Sequence, residues 1–574
     1  MKNVMPFKGA HCVRPVGFAA LAVAAAIAAA AGTVAGQGHA ATASRADKPA
    51  NPPGAAKFKH PKVKHGVLSI NGTQANDNIA LRLQAGDPGV LQVDVGDDGS
   101  ADFSFKRAEV AAIAIDAREG DDLVRIDDSN GVFTDTISTT IGGGDGNDTL
   151  LGGAGAETFF GGDGNDTVDG NGGNDAASLG AGDDTFVWDT GDGSDTIEGE
   201  AGTDTMRFNG ANIGERVDLS ANGNRLKFFR NIGSITMDTA GLERVDFNAL
   251  GGIDVVSVND LAKTDVKNVN VDLASTLGGT AGDGQPDRVT VNGTNGDDTF
   301  TVSGDANGVS TSGLGPTVAI QHQEPTDLLA VNGLDSNDAI SAADLAAGAI
   351  ALLINGGAGD DTLAGGKGVE TLVGADDNDT VDGKGGNDFA SLGAGDDTFV
   401  WDPGDGSDTI EGEDGNDTMT FNGANAAEQV ELSANGNRLK FFRTQANITM
   451  DTAGVEQVDF NALGGADTVT VNDLAGTDVK NVNVDLAGTP GGATGDGAAD
   501  DVIVRGTNGD DAVGVSGESR NLSVSGLAAT TTILHADAAL DRLDVNTLAG
   551  TDTVDSARLT AGSIQLFVNG VLFP

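Results

Sequence analysis

Hydrophobic and polar positions recur with a period of nine residues in two blocks of this chain. From Gly143 to Arg207, each segment of nine has six small or polar residues followed by three more, as in GGDGNDTLL. The middle one of these three is usually bulky and apolar. A second block with the same pattern runs from Gly356 to Thr420. Glycine permits the tight turn that the first six residues need, and the apolar position suits a short strand with one inward side chain. Each nine-residue segment therefore predicts one turn followed by one three-residue strand.

The predicted strands supply one core residue for every nine. These residues are Leu150, Phe159, Val168, Ala177, Phe186, Ile197 and Met206 in the first block, and Leu363, Leu372, Val381, Ala390, Phe399, Ile410 and Met419 in the second. One segment makes half a coil, so each segment is expected to stack on the second one after it. Stacking of such small units produces a structure that repeats in one direction.

Longer repeats show that the chain contains a duplicated unit. SLGAGDDTFVWD occurs at 178–189 and again at 391–402, which is 213 positions later. A flanking piece occurs three times and opens with GTQANDN at Gly72, GTNGDDT at Gly293 and GTNGDDA at Gly506. The chain then stops after Val571-Leu572-Phe573-Pro574, where another block would begin, and this apolar tail is a plausible cap on the stack.

The sixth position of the nine carries the candidate metal ligands. They are Asp148, Glu157, Asp166, Asp175, Asp184, Asp195 and Asp204 in the first block, and Asp361, Glu370, Asp379, Asp388, Asp397, Asp408 and Asp417 in the second. Asp145 and Asp163, at the third position, are further candidates. Stacked turns would face each other with carboxylate and carbonyl oxygens, and such a cage suits a hard cation with six to eight ligands. Ca²⁺ fits better than Mg²⁺, which retains its water.

Departures from the pattern limit how many ions are expected. Glu157 and Glu370 have a longer arm than aspartate, and Asp377 replaces a glycine, which predicts a strained turn. Two inserted pairs, Trp188-Asp189 and Trp401-Asp402, are predicted to interrupt the stacking around them. The stacked pairs least affected are Asp148/Asp166, Asp166/Asp184, Asp361/Asp379 and Asp379/Asp397. Between four and ten bound ions are therefore expected.

Composition agrees with a cation-binding repeat. The chain has 86 acidic against 33 basic residues, a formal charge of −53, which argues against nucleic acid or an anionic membrane surface as a partner. It has 87 glycines, no tyrosine and 4% aromatic residues, too few large apolar groups for a thick core. A metal-free glycine-rich roll with solubilising charge is the competing interpretation.

The N-terminus has the pattern of a secretory signal peptide, residues 1–43. A basic stretch precedes an alanine-rich apolar run, and Ala41 and Ala43 offer a cleavage site. A membrane anchor is the competing interpretation, although the run is short. Cleavage would remove Cys12, the single cysteine, and leave no membrane span. Residues 44–66 are expected to form a basic, proline-rich linker, or alternatively an arm that binds acidic polymers.

The two blocks resemble the repeats-in-toxin (RTX, hemolysin-type) calcium-binding family, on the template G-G-x-G-x-D-x-U-x in which U is bulky and apolar. The resemblance implies a parallel β-roll with Ca²⁺ between adjacent turns. We therefore expect an all-β, elongated, right-handed parallel β-roll or β-solenoid. The expected domains after the linker are a β-rich flanking unit (67–142), roll 1 (143–207), a solenoid spacer (208–287), a flanking unit (288–355), roll 2 (356–420), a spacer (421–500) and a flanking unit with the C-terminal cap (501–574).

The expected function is calcium binding coupled to folding, in an exported protein with a structural or adhesive role at the cell surface or outside the cell. A cell-surface or extracellular-matrix polymer is a candidate partner. The alternative is a secreted carbohydrate- or surface-ligand-binding module that uses the flanking solenoid. Enzymatic activity is not expected, because the histidines at 60, 65, 322 and 535 are scattered and neither G-x-S-x-G nor H-E-x-x-H occurs.

Overall fold

The computed structural model describes residues 58–573, and every regular element longer than a single turn in this range is a β-strand. The predicted signal peptide and residues 44–57 of the predicted linker lie outside the described residues. The described chain divides into two units, with the boundary between Thr205 and Met206. Short 3-10 turns lie at Arg107–Glu109, Asp128–Asn130, Ile232–Ser234 and Gln445–Asn447. No helix in the described part of the chain has the length and hydrophobicity needed to cross a bilayer.

The strands of the first unit are β1 (Lys62–Lys64), β2 (Val67–Asn71), β3 (Asn78–Gln84), β4 (Asp87–Val95), β5 (Phe103–Lys106), β6 (Ala112–Glu119), β7 (Leu123–Asp127), β8 (Ser138–Asp145), β9 (Thr149–Leu151), β10 (Glu157–Asp163), β11 (Thr167–Asp169), β12 (Ala176–Ala181), β13 (Thr185–Trp188) and β14 (Thr196–Ala201). Strand β15 (Thr205–Asn209) begins at the boundary.

The strands of the second unit up to the end of roll 2 are β16 (Arg216–Asn222), β17 (Arg225–Arg230), β18 (Ile235–Ala240), β19 (Arg244–Asn248), β20 (Val255–Val258), β21 (Asn268–Asp272), β22 (Arg288–Asn292), β23 (Thr299–Asp305), β24 (Gly308–Ser312), β25 (Thr317–Gln321), β26 (Leu328–Asp335), β27 (Ala339–Leu345), β28 (Ala351–Ala358), β29 (Thr362–Ala364), β30 (Glu370–Asp376), β31 (Thr380–Asp382), β32 (Phe389–Gly395), β33 (Thr398–Trp401), β34 (Thr409–Gly415) and β35 (Thr418–Asn422). The remaining strands are β36 (Gln429–Asn435), β37 (Arg438–Arg443), β38 (Ile448–Ala453), β39 (Gln457–Asn461), β40 (Thr468–Val471), β41 (Asn481–Asp485), β42 (Asp501–Arg505), β43 (Ala512–Glu518), β44 (Asn521–Ser525), β45 (Thr530–Leu534), β46 (Arg542–Asn546), β47 (Thr553–Leu559), β48 (Gln565–Val568) and β49 (Val571–Leu572).

Parallel pairing between every second strand builds each roll. In the first unit β8, β10 and β12 pair in one sheet, and β9, β11 and β13 pair in another. Val168 lies between Leu150 and Phe186, each 18 residues away, so two nine-residue segments complete one coil. In the second unit β28, β30 and β32 form one sheet of roll 2, and β29, β31 and β33 form the other. The all-β parallel roll expected from the nine-residue period is confirmed.

The core consists of the apolar residue at the centre of each short strand. All fourteen residues predicted for this position are 3% exposed or less. Side chains alternate between buried and partly exposed along the strands, which is the period of two expected when one face of a strand packs inward.

The two inserted tryptophan–aspartate pairs do not interrupt stacking, and that prediction was wrong. Strand β12 pairs in parallel with β14, and the partners Ala177 and Ile197 are 20 residues apart instead of 18. The indole N–H of Trp188 donates to the Gly193 carbonyl at 2.8 Å, and its ring is fully buried. Trp401 makes the same bond to Gly406 at 2.8 Å. The extra residues enlarge the turn, and the strand register resumes after it.

Antiparallel three-stranded meanders interrupt the parallel coils outside the rolls. They are β3–β4–β5, β16–β17–β18, β23–β24–β25, β36–β37–β38 and β43–β44–β45. The nine-residue period contains no signal for them, because their strands pair through hairpins rather than through stacking of turns.

Candidate metal centre

The carboxylates at the sixth position of each nine lie inside the turns. All fourteen of them, from Asp148 to Asp204 and from Asp361 to Asp417, are 4% exposed or less. We call these residues the inner carboxylates. A buried ionised carboxylate is costly unless it is hydrogen-bonded and its charge is neutralised, so the partners of each oxygen decide what the turn can bind.

The inner carboxylates form two rows in each roll. In one row of roll 1 the backbone N–H of Asp148 donates to Asp166 Oδ1 at 2.7 Å, and the N–H of Asp166 donates to Asp184 Oδ1 at 2.7 Å. The row continues from Asp184 to Asp204 at 2.9 Å. The second row joins Glu157 to Asp175 at 2.7 Å and Asp175 to Asp195 at 2.8 Å. Each roll therefore aligns its carboxylates along two edges.

Roll 2 repeats this arrangement within the second unit. Its first row runs Asp361, Asp379, Asp397 and Asp417, with N–H to Oδ1 distances of 2.8, 2.7 and 3.0 Å. Its second row runs Glu370, Asp388 and Asp408, with distances of 2.8 and 2.9 Å. Stacking is therefore continuous through all seven segments of this block.

The second oxygen of most inner carboxylates is buried without a hydrogen-bond partner in the structure. This holds for Oδ2 of Asp148, Asp166, Asp175, Asp184, Asp361, Asp379, Asp388, Asp397, Asp408 and Asp417. A buried acceptor left unpaired costs about 1–3 kcal/mol, and more when it is charged. Ten such oxygens at one repeated position indicate that these turns bind a ligand that contacts the oxygens.

Glycine at the first position brings a carbonyl oxygen to the same place. A Cβ on Gly161 would lie 2.5 Å from Asp166 Oδ2 and 1.9 Å from the Leu179 carbonyl oxygen of the next coil. A Cβ on Gly374 would lie 2.2 Å from Asp379 Oδ2. No side chain fits there, and the space is lined by carboxylate and carbonyl oxygens. Such a set of donors fits Ca²⁺, which takes oxygen ligands in a flexible geometry.

Glycines at the second and fourth positions orient further carbonyls along the stack. Gly162 and Gly164 have φ of 127° and 129°, which side-chain-bearing residues rarely adopt. A Cβ on either would lie 2.1 Å from a carbonyl oxygen of the preceding coil, that of Gly144 or Gly146. The turn thus exposes backbone oxygens toward its neighbours.

Burial raises the pKa of inner carboxyls in both rolls. It raises the pKa of Asp166 to about 7, with a smaller contribution from the negative charge of Asp184. The pKa of Asp175 rises to about 9, because burial adds to repulsion from Glu157 and Asp195. In roll 2 the pKa of Asp379 rises to about 7 and that of Asp388 to about 8, for the same reasons. A cation between the coils would favour the ionised forms.

The third-position candidates lie elsewhere. Asp145 and Asp163 are exposed and stand opposite each other in the register of β8 and β10. Their side chains are on the outside of the turn, and the structure does not bring them into the rows of inner carboxylates.

Asp377 adopts the conformation that its glycine counterparts have. Its φ is 74°, in the left-handed region, and Ala375 two residues earlier has φ of 95°. The stacked pairs around this turn are nevertheless complete, because Asp361 and Asp397 bond normally to Asp379. The backbone strain predicted for this turn is present, and it does not break the row.

The rows extend beyond the nine-residue blocks, which the sequence interpretation missed. The N–H of Asp122 donates to Asp148 Oδ1 at 2.8 Å, and the N–H of Asp338 donates to Asp361 Oδ1 at 2.7 Å. Similar bonds join Glu428 to Asp467 and Asp467 to Asp500 in the spacer after roll 2. A signal exists in the sequence, since glycine often stands five residues before the acid, as at Gly333 and Gly423.

No group of three or more histidine, cysteine, aspartate or glutamate side chains converges as a metal site within residues 58–573. This matches a turn that presents one inner carboxylate per coil among several carbonyl oxygens.

Comparison with known families gives a direct result for both rolls. The family model described as RTX calcium-binding nonapeptide repeat (4 copies) matches residues 140–168, 151–186, 189–212, 353–372, 365–399 and 404–425. Comparison of the whole chain with curated proteins finds no match. The matched segments contain all of the inner carboxylates and the glycine-lined turns that hold them. Both blocks of the chain therefore match the RTX calcium-binding nonapeptide repeat.

Proposed function

We propose that Ca²⁺ binds between stacked turns along the rows of inner carboxylates in both rolls. The observation that carries this proposal is the repeated buried carboxylate oxygen without a partner, which in seven of the ten turns faces a glycine whose added Cβ would lie 2.1–2.7 Å from it. Each roll has five stacked pairs, three in one row and two in the other. Ten pairs in the two rolls correspond to the upper end of the expected four to ten ions.

Calcium would supply the charge that the turn lacks. An ion between two coils neutralises carboxylates that otherwise repel each other, and it ties the coils together through shared oxygens. Extracellular modules bind Ca²⁺ with a Kd of about 10⁻⁴–10⁻³ M, so each site adds roughly 0.4–1.4 kcal/mol at about 1 mM Ca²⁺. Because the sites lie only in folded turns, binding is coupled to folding.

We further propose that the protein acts outside the cytoplasm as a structural or adhesive element. The predicted signal peptide and the strongly acidic composition support this role. N-terminal sequencing of the protein recovered from the medium or the cell surface tests it, with a mature end near Ala41 or Ser44 as the expected result. Recovery of Met1 from external material would contradict cleavage.

Calcium stoichiometry of variants tests the proposed ligands. Asp166 belongs to two stacked pairs, so Asp166→Asn should remove at least one bound ion in a calorimetric titration of the full chain. The matched control is Asp163→Asn, three residues earlier in the same turn, whose exposed side chain lies outside the rows. An Asp166→Asn protein that binds as many ions as the parent would overturn the assignment.

A further inference from the structure

The turn formed by residues 333–338, one coil before roll 2, has the features of a calcium turn without its sequence. It reads GLDSND and lies outside the segments that match the nonapeptide family. Strand β26 nevertheless continues into this turn in register with β28, and Leu334 pairs with Gly357. The turn therefore stacks directly on the first turn of roll 2.

The backbone of this turn follows that of the glycine-rich turns. Leu334 and Ser336, at the second and fourth positions, have φ of 93° and 76°. A Cβ on Gly357 would lie 2.0 Å from the Leu334 carbonyl oxygen, and one on Gly359 would lie 2.5 Å from that of Ser336. Left-handed conformations are unfavourable for residues with side chains, by about 1–2 kcal/mol each. The turn holds them at both positions and directs the same two carbonyls toward the next coil.

Its carboxylate also has an oxygen without a partner. Asp338 is 2% exposed, and its Oδ1 accepts the N–H of Asp298 at 2.8 Å. Asp338 Oδ2 is buried with no hydrogen-bond partner in the structure. A Cβ on Gly333 would lie 2.0 Å from this oxygen and 2.4 Å from the Gly356 carbonyl oxygen. The oxygen thus faces a glycine-lined space with a carbonyl beside it, as in the rolls.

The preceding coil shows how a carboxylate at this position can be satisfied by the protein. Asp298 Oδ2 accepts the backbone N–H of Thr294 at 2.6 Å, and Oδ1 accepts the Thr294 hydroxyl at 3.1 Å. The same pair recurs as Thr507 and Asp511, at 2.8 and 3.0 Å. Leu334 occupies the corresponding place before Asp338. It has no hydroxyl to donate, and its backbone N–H does not bond to Asp338 Oδ2, which has no partner in the structure.

We propose that Asp338, with the carbonyls of the turns on either side of it, forms an additional Ca²⁺ site that begins the first row of roll 2. Asp298, which Thr294 satisfies, ends the row on that side. This inference rests on the proposed calcium sites of the rolls and adds one outside the family repeats. Asp122 in the first unit also has a buried unpartnered oxygen, but Ala117 stands where Asp338 has Gly333, so the proposal concerns Asp338.

The test counts calcium ions bound to the full chain by native mass spectrometry after removal of calcium and titration with CaCl₂. Asp338→Asn should bind one ion fewer than the parent. Asp298→Asn, the matched control one coil earlier, should bind as many ions as the parent. Asp379→Asn, inside roll 2, should lose one or two ions.

The three variants separate the possible results. If Asp338→Asn keeps the parent stoichiometry while Asp379→Asn loses ions, the additional site does not exist and the roll sites stand. If neither variant loses an ion, the proposed function itself fails. Should Asp338→Asn fail to fold, Gly333→Ala carries the test, since its Cβ occupies the space in front of Asp338 Oδ2 and should also remove one ion. A folded Gly333→Ala protein with full stoichiometry would overturn the site.

Discussion

Roll 2 and the spacer that follows it, residues 421–500, both bury carboxylates in their turns, and in the spacer an arginine lies against one of them. Asp379 and Glu428 each donate their N–H to the acid of the next coil at 2.7 Å. A Cβ on the glycine five residues earlier would lie 2.2 Å from Asp379 Oδ2 and 2.3 Å from Glu428 Oε2. The two turns thus place an acid in the same surroundings.

The difference is the source of the positive charge. Arg443 on β37 donates from Nε to Glu428 Oε1 at 2.6 Å, and the two side chains are 9% and 0% exposed. Glu428 Oε2 accepts the N–H of Ala424 at 3.1 Å, so both oxygens have partners. Asp379 Oδ2 has none in the structure. In one and the same turn geometry, the charge of the buried acid can therefore be balanced by an ion from solution or by an arginine of the chain, depending on which side chains pack beside the turn.

Calcium removal should have the largest effect and should act on the rolls rather than the arginine-paired coil. In chelator, peptides covering 361–397 should lose hydrogen-exchange protection by at least tenfold, because facing carboxylates repel within the ~8 Å screening length. Peptides covering 429–443 should keep their protection. Hydrogen exchange followed by mass spectrometry on the full chain measures both at once. Equal loss in the two regions would break the comparison.

Removing the internal counter-charge should make the spacer unstable. Arg443→Met leaves Glu428 buried and unpaired, which should lower the free energy of unfolding by about 3–5 kcal/mol. Lys480→Met is the control, since the Lys480 side chain is 66% exposed and the loss of its 3.2 Å pair with Glu456 should cost about 0–1 kcal/mol. Denaturant unfolding measures both.

The double variant Glu428→Gln/Arg443→Met sharpens this test. Removing both charges should recover most of the lost stability, because no unpaired ion remains buried. If Arg443→Met alone is as stable as the parent, the arginine is not what balances the acid.

Because protons and calcium compete for the inner carboxylates, a rise in pH should increase the calcium affinity of the rolls and decrease the stability of the metal-free fold. The pKa of Asp379 is raised from 3.8 to about 7 in the metal-free fold, mainly by burial. Its protonation therefore favours the metal-free fold below pH 4, and this contribution is lost as pH rises through 7. Calcium displaces the proton, so affinity should rise between about pH 5 and 8, up to tenfold per pH unit for each proton released.

Calorimetry in two buffers of different ionisation enthalpy measures the protons released on binding. Unfolding of the metal-free chain at pH 5 and pH 8 gives the opposite trend in stability. An affinity independent of pH, with no proton release, would contradict the raised pKa of Asp379.

The smallest expected effect concerns the strained turn of roll 2. Asp377 has φ of 74°, so Asp377→Gly should stabilise calcium-loaded roll 2 by up to about 1 kcal/mol, partly offset by the flexibility of glycine in the unfolded chain. Gly395→Asp, at the same position of the next coil, is the reverse control and should destabilise. Thermal unfolding in excess calcium measures the shifts in Tm of the two variants. A lower Tm for Asp377→Gly would show that the aspartate side chain stabilises the turn by more than its backbone strain costs.

The rolls could be predicted from sequence because their information is local. The spacing between the glycines, the aspartate and the apolar residue is fixed within nine positions. The burial of Asp166 in the turn and of Val168 in the core can therefore be predicted from one segment alone. The prediction that the inserted Trp188-Asp189 pair interrupts stacking was wrong, because the nine-residue period does not show that a turn can accommodate two more residues. A turn on the outside of a coil can grow, and the strand that follows returns to register.

The parts that escaped prediction depend on distant partners. The Glu428–Arg443 pair joins the two ends of a hairpin, and the glycine five residues before Glu428 does not indicate that an arginine will pack against this acid. The turn of Asp338 has a glycine at its first position but none at its second and fourth, so its likeness to the roll turns lies in backbone angles that the sequence does not display. The antiparallel meanders likewise follow from pairing between strands that no nine-residue window contains.

The hydrogen bonds within the rows of inner carboxylates all run in one direction along the chain, so the loss of one carboxylate should affect the coil on one side only. In each row the N–H of one coil is held by the carboxylate of the coil that comes after it in sequence, as Asp148 is held by Asp166. Loss of the Asp166 side chain therefore leaves a donor unsatisfied on its N-terminal neighbour and not on its C-terminal one. Because the chain is synthesised from its amino end, each new coil supplies the acceptor for the N–H of the coil before it.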